Sequence, residues 1–165
     1  MPGPQDNTQP FMDRIRQHQG ILHKITAVYA HTAADREDLR QEIILQLWKS
    51  YPSFRGQSEF STWMYRVALN TALTFTRKAS FWREHTEELS AAAGLAQTMD
   101  YSEDIQLLYR AIARLNKVEK ALILLWLEEK PYREIADALG MTEKNVSVRL
   151  VRIKARLATL IETMQ

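Results

Sequence analysis

The chain has 165 residues, of which 45% are hydrophobic and 25% are charged, and these values are ordinary for a soluble globular protein. This length fits one domain or two small ones, and the formal net charge of +2 is too small to indicate nucleic-acid binding by itself. The absence of cysteine excludes disulfides, thiol catalysis, thiol redox sensing and cysteine-ligated zinc.

The first half of the chain is predicted to be helical, because helix breakers are few and strong helix formers are many. Residues 1–10 contain three prolines and a glycine, and we expect them to be disordered. Three helices are predicted after them: residues 11–32, residues 35–50 with Asp35 as the N-cap, and residues 60–83. The sequence Tyr51-Pro52-Ser53 ends the second of these helices.

The second half is predicted to contain further helices. The first begins after Ser102, whose side chain suits a helix cap, and the next covers the strongly apolar residues 117–129. A shorter helix covers residues 132–139 and ends at Gly140, since glycine commonly ends a helix. Thr142 caps the last helix, which runs almost to the end of the sequence.

Charge is distributed in a basic–acidic–basic order along the chain. Between Thr86 and Tyr109 there are five acidic residues and no Lys or Arg, whereas the stretches on either side are basic. This order suits two polyanion-binding modules joined by a solvated linker, although solvated helix faces would give the same pattern. We predict an all-α protein with two small helical domains, residues 11–85 and 105–165, joined by a linker of residues 86–104.

Residues 132–151 have the spacing of a helix-turn-helix. Ala136 is small where the two helices must cross, Gly140 supplies the positive φ of the turn, and Val146 fills the angle between them. Similar helix pairs occur in proteins that never bind DNA, and Val148 and Val151 do not fit a purely polar outer face. The residues predicted to contact base edges and phosphates of duplex DNA are Thr142, Glu143, Lys144, Asn145, Ser147, Arg149 and Arg152.

The first half contains an ordered set of motifs. Asp-Leu-Arg-Gln-Glu-Ile begins at Asp38, Phe-Arg-Gly begins at Phe54, and Phe-Ser-Thr-Trp-Met-Tyr-Arg-Val-Ala-Leu-Asn covers residues 60–70. This order resembles region two of the extracytoplasmic-function sigma factors, a group of the sigma-70 family. The segments Glu-Ile-Ala-x-x-Leu-Gly, from Glu134, and Val-x-x-Arg-Leu, from Val146, resemble region four of the same family.

The resemblance covers roughly residues 11–160 and has one visible departure. The family usually has Leu-Pro at the start of the central helix of the second domain, whereas this chain has Leu115-Asn116. Because Asn is a good N-cap, the helix is still expected to begin there. The departure therefore leaves the implied function unchanged.

The resemblance implies a sigma factor that directs promoter recognition and transcription initiation by core RNA polymerase. The second helix would dock on the clamp helices of the largest subunit, and the second domain would contact the flap of the second largest subunit and the minus-thirty-five element. An anti-sigma factor is a further implied partner. The residues implied to bind polymerase are Asp38, Gln41, Glu42, Leu45 and Trp48. A place in the core is the alternative for Leu45 and Trp48, and partial burial of Trp48 is as well supported as contact.

The third helix and the loop before it are implied to recognise and melt the minus-ten element. Amide and hydroxyl groups can bond base edges of single-stranded DNA, and Arg and Lys bind its phosphates. Trp63 could act as a melting wedge, but its helical spacing favours a place in the core. The residues predicted for this role are Arg55, Ser58, Ser61, Thr62, Arg66, Asn70, Thr74, Arg77 and Lys78.

Other classes of function find little support in the sequence. The four histidines lack metal-ligand spacing, and we find no nucleophile motif or glycine-rich phosphate loop, so no catalysis and no cofactor are expected. The longest apolar run, residues 121–127, is too short to span a membrane, so a cytoplasmic protein without membrane insertion is expected. Two alternatives remain: a stand-alone helix-turn-helix regulator that binds duplex DNA without polymerase, and a protein-interaction module that mimics these helices without contacting DNA.

Overall fold

The computed structural model describes residues 7–83 and 102–165, without the side chains of residues 76–83. Regular structure in these residues is entirely helical, which confirms the predicted all-α class. Of the predicted linker, residues 86–104, only residues 102–104 are among the described residues. The helices are α1 Thr8–Gln17, α2 Gln19–Tyr29, α3 Ala33–Ser50, α4 Phe60–Arg83, α5 Glu103–Ile112, α6 Lys117–Leu127, α7 Tyr132–Leu139 and α8 Glu143–Met164.

The first domain packs α3 against α2 and α4. Leu39, Ile43 and Leu47 recur every four residues along α3 and are fully buried, as the apolar stripe predicts. A 3-10 turn, Tyr51–Ser53, follows α3 and ends it where the proline-containing sequence predicts. From α2 and α4 the same buried cluster includes Leu22, Ile25, Met64, Tyr65, Ala68 and Leu69.

The N-terminal helices differ from their prediction in two ways. Helix α1 begins at Thr8, so residues 8–10 are helical rather than disordered. Pro10 lies in the first turn, where its missing N–H removes no helical hydrogen bond. The predicted first helix is also divided at His18, whose φ of −118° and ψ of 24° interrupt it. The ring of His18 lies 5.1 Å from that of Phe60, a contact between distant segments that no local pattern encodes.

Side-chain caps begin α3, α5, α6 and α8. Thr32, rather than the predicted Asp35, is the N-cap of α3, because its hydroxyl accepts a hydrogen bond from the backbone N–H of Asp35 at 3.0 Å. The carboxylate of Asp35 lies in the first turn instead, where it favours the helix dipole. Ser102 and Thr142 cap α5 and α8 as predicted.

Helices α7 and α8 form the predicted helix-turn-helix. Gly140 has a φ of 67° and ends α7 in the left-handed conformation, which glycine adopts without steric cost. The N–H of Met141 donates to the carbonyl of Ala136 at 3.0 Å and closes the turn. Val146 and Ile135 are fully buried, so the apolar face of α8 is fixed on the rest of the second domain.

Asn116 begins α6 with a capping box. Its side-chain oxygen accepts a hydrogen bond from the N–H of Glu119 at 2.9 Å, and the Glu119 carboxylate accepts one from the N–H of Asn116 at 3.2 Å. Two N–H groups at the start of the helix are thereby satisfied. The helix start is therefore retained without the usual proline, as predicted.

We expect Asn116→Ala to lower the free energy of unfolding by about 1 kcal/mol, because it removes the acceptor for a helix N–H. Asn116→Ser should retain most of the stability, since serine is also a good N-cap. Denaturant unfolding of both variants measures the difference. An Asn116→Ala variant as stable as the parent would show that the cap does not contribute.

Candidate nucleic-acid interface

Helix α8 separates a buried face from a cationic one. Val146, Leu150, Ile153 and Leu157 are buried, and the polar residues between them point to other sides of the helix. Of the residues predicted to bind duplex DNA, only Ser147 is half-buried. The structure exposes the other six: Thr142, Glu143, Lys144, Asn145, Arg149 and Arg152.

The cations of this exposed face are available to an anionic ligand. The Nε of Arg149 donates to the side-chain oxygen of Asn145 at 3.2 Å, one turn earlier on the helix. Within the described side chains, neither Arg149 nor Arg152 forms an ion pair. By contrast, Arg156 pairs with Glu119 at 2.9 Å, and the Lys154 amine lies 4.6 Å from the centre of the Trp126 ring. Lys154 and Arg156 are thus held by contacts with other helices of the protein. Arg149 and Arg152 face the open surface instead.

Helix α4 carries part of the predicted polar stripe on its surface. Arg66, Asn70 and Thr74 are exposed and follow one another at intervals of one turn. Thr62, the first member of the stripe, is instead only 9% exposed. The backbone positions of Arg77 and Lys78 lie in α4, but their side chains are outside the described residues.

The loop before α4 is exposed and ends against an aromatic cluster. Arg55 and Ser58 are exposed, and Gly56 between them has a φ of 73°, which suits glycine. Trp63 is half-buried, with its ring 5.1 Å from Phe54 and 5.4 Å from Phe60. It therefore packs against the core, as its helical spacing favours.

A groove of about 820 Å³ runs between α3 and α4. Leu45 of α3 is 43% exposed along it, and Asn70 and Thr74 of α4 lie on the opposite wall. Trp48 is not part of the lining; it packs edge-on against Phe11, with ring centres 5.1 Å apart, and stays 40% exposed. Trp48 is thus partly buried, and its contact with polymerase stays a prediction. The groove brings together four of the residues implied to bind polymerase, namely Asp38, Gln41, Glu42 and Leu45.

Polar side chains also join the two domains. Glu128, just after α6, pairs with Lys24 of α2 and accepts a hydrogen bond from the Tyr65 hydroxyl of α4 at 2.8 Å. We call this group, with the contacts of Lys130 and Glu134 described next, the interdomain contact. The bonded partners in it lie 63 to 104 residues apart along the chain, so the sequence patterns did not predict this contact.

The rest of the interdomain contact covers the N-terminal end of α4. The Lys130 amine donates to the Ser61 hydroxyl at 2.8 Å and pairs with Glu59 at 3.3 Å. Glu134, in the first turn of α7, accepts a hydrogen bond from Thr62 at 3.1 Å. Two residues predicted to bind the minus-ten element, Ser61 and Thr62, are therefore engaged by the helix-turn-helix domain in this conformation.

Ionisation matches the polar character of this contact. Burial alone would raise the pKa of Glu128, but hydrogen bonds from Lys24 and Tyr65 and the charges of Lys24 and Lys130 lower it below its usual value. Burial raises the pKa of Tyr29, whose hydroxyl donates to the carbonyl of Lys117 across the same interface at 2.7 Å. At neutral pH the carboxylate is thus charged and the phenol neutral, as their partners require.

Comparisons with known proteins agree with this architecture. The family model Sigma-70 region 2 matches residues 14–81, and Sigma-70, region 4 matches residues 105–157. The chain is 30% identical over 155 residues to RNA polymerase sigma factor YlaC of Bacillus subtilis, covering 88% of each chain. It is 27% identical over 152 residues to ECF RNA polymerase sigma factor SigM of Mycobacterium tuberculosis, covering 92% of this chain and 76% of SigM.

A solved structure with the same fold is the sigma factor RpoE in complex with the anti-sigma factor NepR from Bartonella quintana. It matches with a TM-score of 0.73 and 18% identity, over 95% of this chain and 99% of that one. CnrH, in complex with the cytosolic domain of CnrY, matches with a TM-score of 0.67 and 19% identity, over 97% of this chain and 92% of that one. Both likenesses extend over the two domains.

The chain belongs to the sigma-70 family of RNA polymerase sigma factors. Within this family it is an extracytoplasmic-function sigma factor, a DNA-binding protein that binds core RNA polymerase and directs promoter recognition and transcription initiation. A stand-alone helix-turn-helix regulator is not favoured, because the first domain matches region 2. In the part of the chain that the structure describes, every helix is too short or too polar to cross a membrane.

Proposed function

We propose that α8 binds the minus-thirty-five element as duplex DNA. The observation that carries this assignment is the exposed cationic face of α8, opposite its buried apolar face and one tight turn after α7. Such a helix can enter a major groove with its N-terminal half while arginines bind phosphates. The residues proposed for this contact are Thr142, Glu143, Lys144, Asn145, Ser147, Arg149 and Arg152.

Helix α4 and the loop before it bind the minus-ten element as a single strand in this proposal. The exposed side chains of Arg66, Asn70 and Thr74 support it, because they offer hydrogen-bonding groups and a cation along one face. Ser61 and Thr62 become accessible only when the second domain moves away from them. The other residues proposed for this contact are Arg55, Ser58, Arg77 and Lys78.

The α3 wall of this groove contacts the clamp helices of the largest polymerase subunit, whereas its α4 wall is left to the minus-ten strand. The second domain contacts the flap of the second largest subunit. The exposed Leu45 beside acidic Asp38 and Glu42 supports the first contact, since an apolar anchor with a charged rim is typical of protein interfaces. The proposed residues are Asp38, Gln41, Glu42, Leu45 and Trp48. The domains responsible are residues 11–85 and 105–165, with residues 86–104 as the linker.

The remaining parts of the proposal follow from this role. The chain acts in the cytoplasm, where its polymerase is, and has no enzymatic activity and no cofactor of its own, because bond formation belongs to the polymerase. An anti-sigma factor is its regulatory partner. The complexes of RpoE with NepR and of CnrH with CnrY support that partner by likeness of fold.

Reconstitution with purified core polymerase tests the proposal. We expect the chain to bind core polymerase and to direct transcription from one start site on a promoter with both elements. Asp38→Lys should weaken core binding about tenfold, because it reverses a charge on the wall of the proposed groove. Titration of fluorescently labelled chain with core polymerase measures this affinity.

Asp13→Lys is the matched control, because Asp13 is also an exposed carboxylate of the first domain but lies on α1, outside the groove. It should leave core binding within twofold of the parent. A chain that neither binds core polymerase nor directs transcription from a defined start would overturn the proposed function. Equal effects of the two substitutions would overturn the placement of the polymerase contact on α3.

A further inference from the structure

Two exposed valines lie on the outer face of α8. At about 100° per residue, Val148 and Val151 lie opposite the buried line of Val146, Leu150 and Ile153. Val148 is 43% exposed and Val151 is 65% exposed, the highest value for a large hydrophobic side chain in the described residues. Neither valine therefore belongs to the core of the second domain.

The surroundings of these valines are cationic. Lys144 lies one turn before Val148 on the same face, and Arg149 and Arg152 follow the two valines directly in sequence. A docked protein helix would favour a continuous apolar patch, whereas here two isolated apolar side chains lie among cations. The matching ligand is a polyanion that displays isolated methyl groups. Duplex DNA has this character, because thymine presents its C5-methyl group in the major groove beside anionic phosphates.

We infer that Val148 and Val151 contact thymine C5-methyl groups in the major groove and determine specificity at two neighbouring base pairs. The inference rests on the proposed binding of the minus-thirty-five element by α8. The two valines lie three residues apart on one face of α8, so their Cβ atoms are about 5–6 Å apart. That separation lets them reach neighbouring base pairs, which are stacked about 3.4 Å apart. The polar residues of α8 then bind phosphates and base edges, and the valines distinguish thymine from bases without a methyl group.

Replacement of thymine by deoxyuridine tests this contact directly, because it removes the methyl group and keeps the base pairing. The preferred duplex is first selected by the complete holoenzyme from a randomised library. Each thymine of its minus-thirty-five element is then replaced in turn, and holoenzyme binding is measured by competition. We expect a loss of about fourfold at each of two neighbouring thymines, the value for removing one buried methyl group.

Val148→Ala and Val151→Ala should each abolish this loss at one position. Alanine has a higher helix propensity than valine, so α8 remains folded in both variants. Ile105→Ala is the matched control, because Ile105 is an exposed apolar residue of α5, at 39% exposure, and not part of α8. It should leave the deoxyuridine profile unchanged.

Three results would overturn the inference while leaving the proposed function intact. One is a selected element in which no thymine is sensitive to deoxyuridine, and another is an unchanged profile in both valine variants. The third is weaker binding of the valine variants to core polymerase without DNA, which would make the valines a protein contact. If the holoenzyme selects no sequence at all, the proposed function fails as well, so the two failures are distinguishable.

Discussion

Replacing Arg149 and Arg152 together with Ala is expected to weaken binding of the minus-thirty-five duplex about a hundredfold, since each hydrogen-bonded charge contributes about tenfold. Both side chains are exposed, and within the described side chains neither is consumed by an ion pair. The negative slope of log affinity against log salt should also become shallower by about 2, because two fewer counterions are released. Fluorescence anisotropy of the holoenzyme on labelled duplex, over a series of salt concentrations, measures both quantities.

The matched control removes two cations from the first domain, through Arg16→Ala and Lys49→Ala. Both residues are exposed and neither belongs to α8, so affinity for the duplex and its salt slope should stay near those of the parent. Should the control lose as much affinity as the α8 variant, the effect would be one of net charge. An unchanged salt slope in the α8 variant would show that its arginines do not contact phosphates.

Reversing the charge of Glu128 is expected to separate the two domains. Glu128→Lys would bring a third ammonium group to Lys24 and Lys130 and would remove the acceptor of the Tyr65 hydroxyl. Loss of the hydrogen bonds to the charged carboxylate favours the open form by about 2 kcal/mol, or roughly thirtyfold in the ratio of open to closed molecules. The outcome is a longer distance between the domains in the free protein.

The absence of cysteine makes this distance measurable, because thiols introduced by Lys49→Cys and Arg110→Cys are the only sites of labelling. Energy transfer between two dyes should fall in the Glu128→Lys variant. It should stay unchanged in Glu129→Lys, which alters the neighbouring, exposed carboxylate. Adding Lys24→Glu to Glu128→Lys should restore the pair and the short distance. If the distance is the same in every variant, the interdomain contact does not hold the domains together.

Local patterns accounted for most of the fold. The helix-turn-helix depends on Ala136, Gly140 and Val146, which lie within eleven residues of one another, so their spacing carries the geometry. The start of α3 was misplaced because Thr32 and Asp35 are both good N-cap residues and stand one turn apart. The break between α1 and α2 at His18 was not predicted, because no proline lies there. The ring of His18 contacts Phe60, which belongs to a helix distant in sequence.

Sequence reasoning was weakest where distant segments meet. Thr62 was correctly placed on the polar stripe of α4, but it is buried and donates a hydrogen bond to Glu134, 72 residues later. Helical periodicity cannot encode such a pairing, because it describes one helix at a time. Likewise, the sequence showed only that Val148 and Val151 do not fit a purely polar outer face of α8. Their exposure followed once the buried face of this helix was known.

The interdomain contact also has a thermodynamic consequence for the order of assembly. If only a small fraction of free molecules has Ser61 and Thr62 uncovered, the apparent affinity for the minus-ten strand is reduced by that fraction. A polymerase that binds the open form, in which the two domains are apart, removes this reduction in affinity before the promoter binds. By linkage, the DNA then strengthens polymerase binding by the same factor. A few hydrogen bonds around Glu128 would thus make polymerase and promoter cooperative ligands of one small protein.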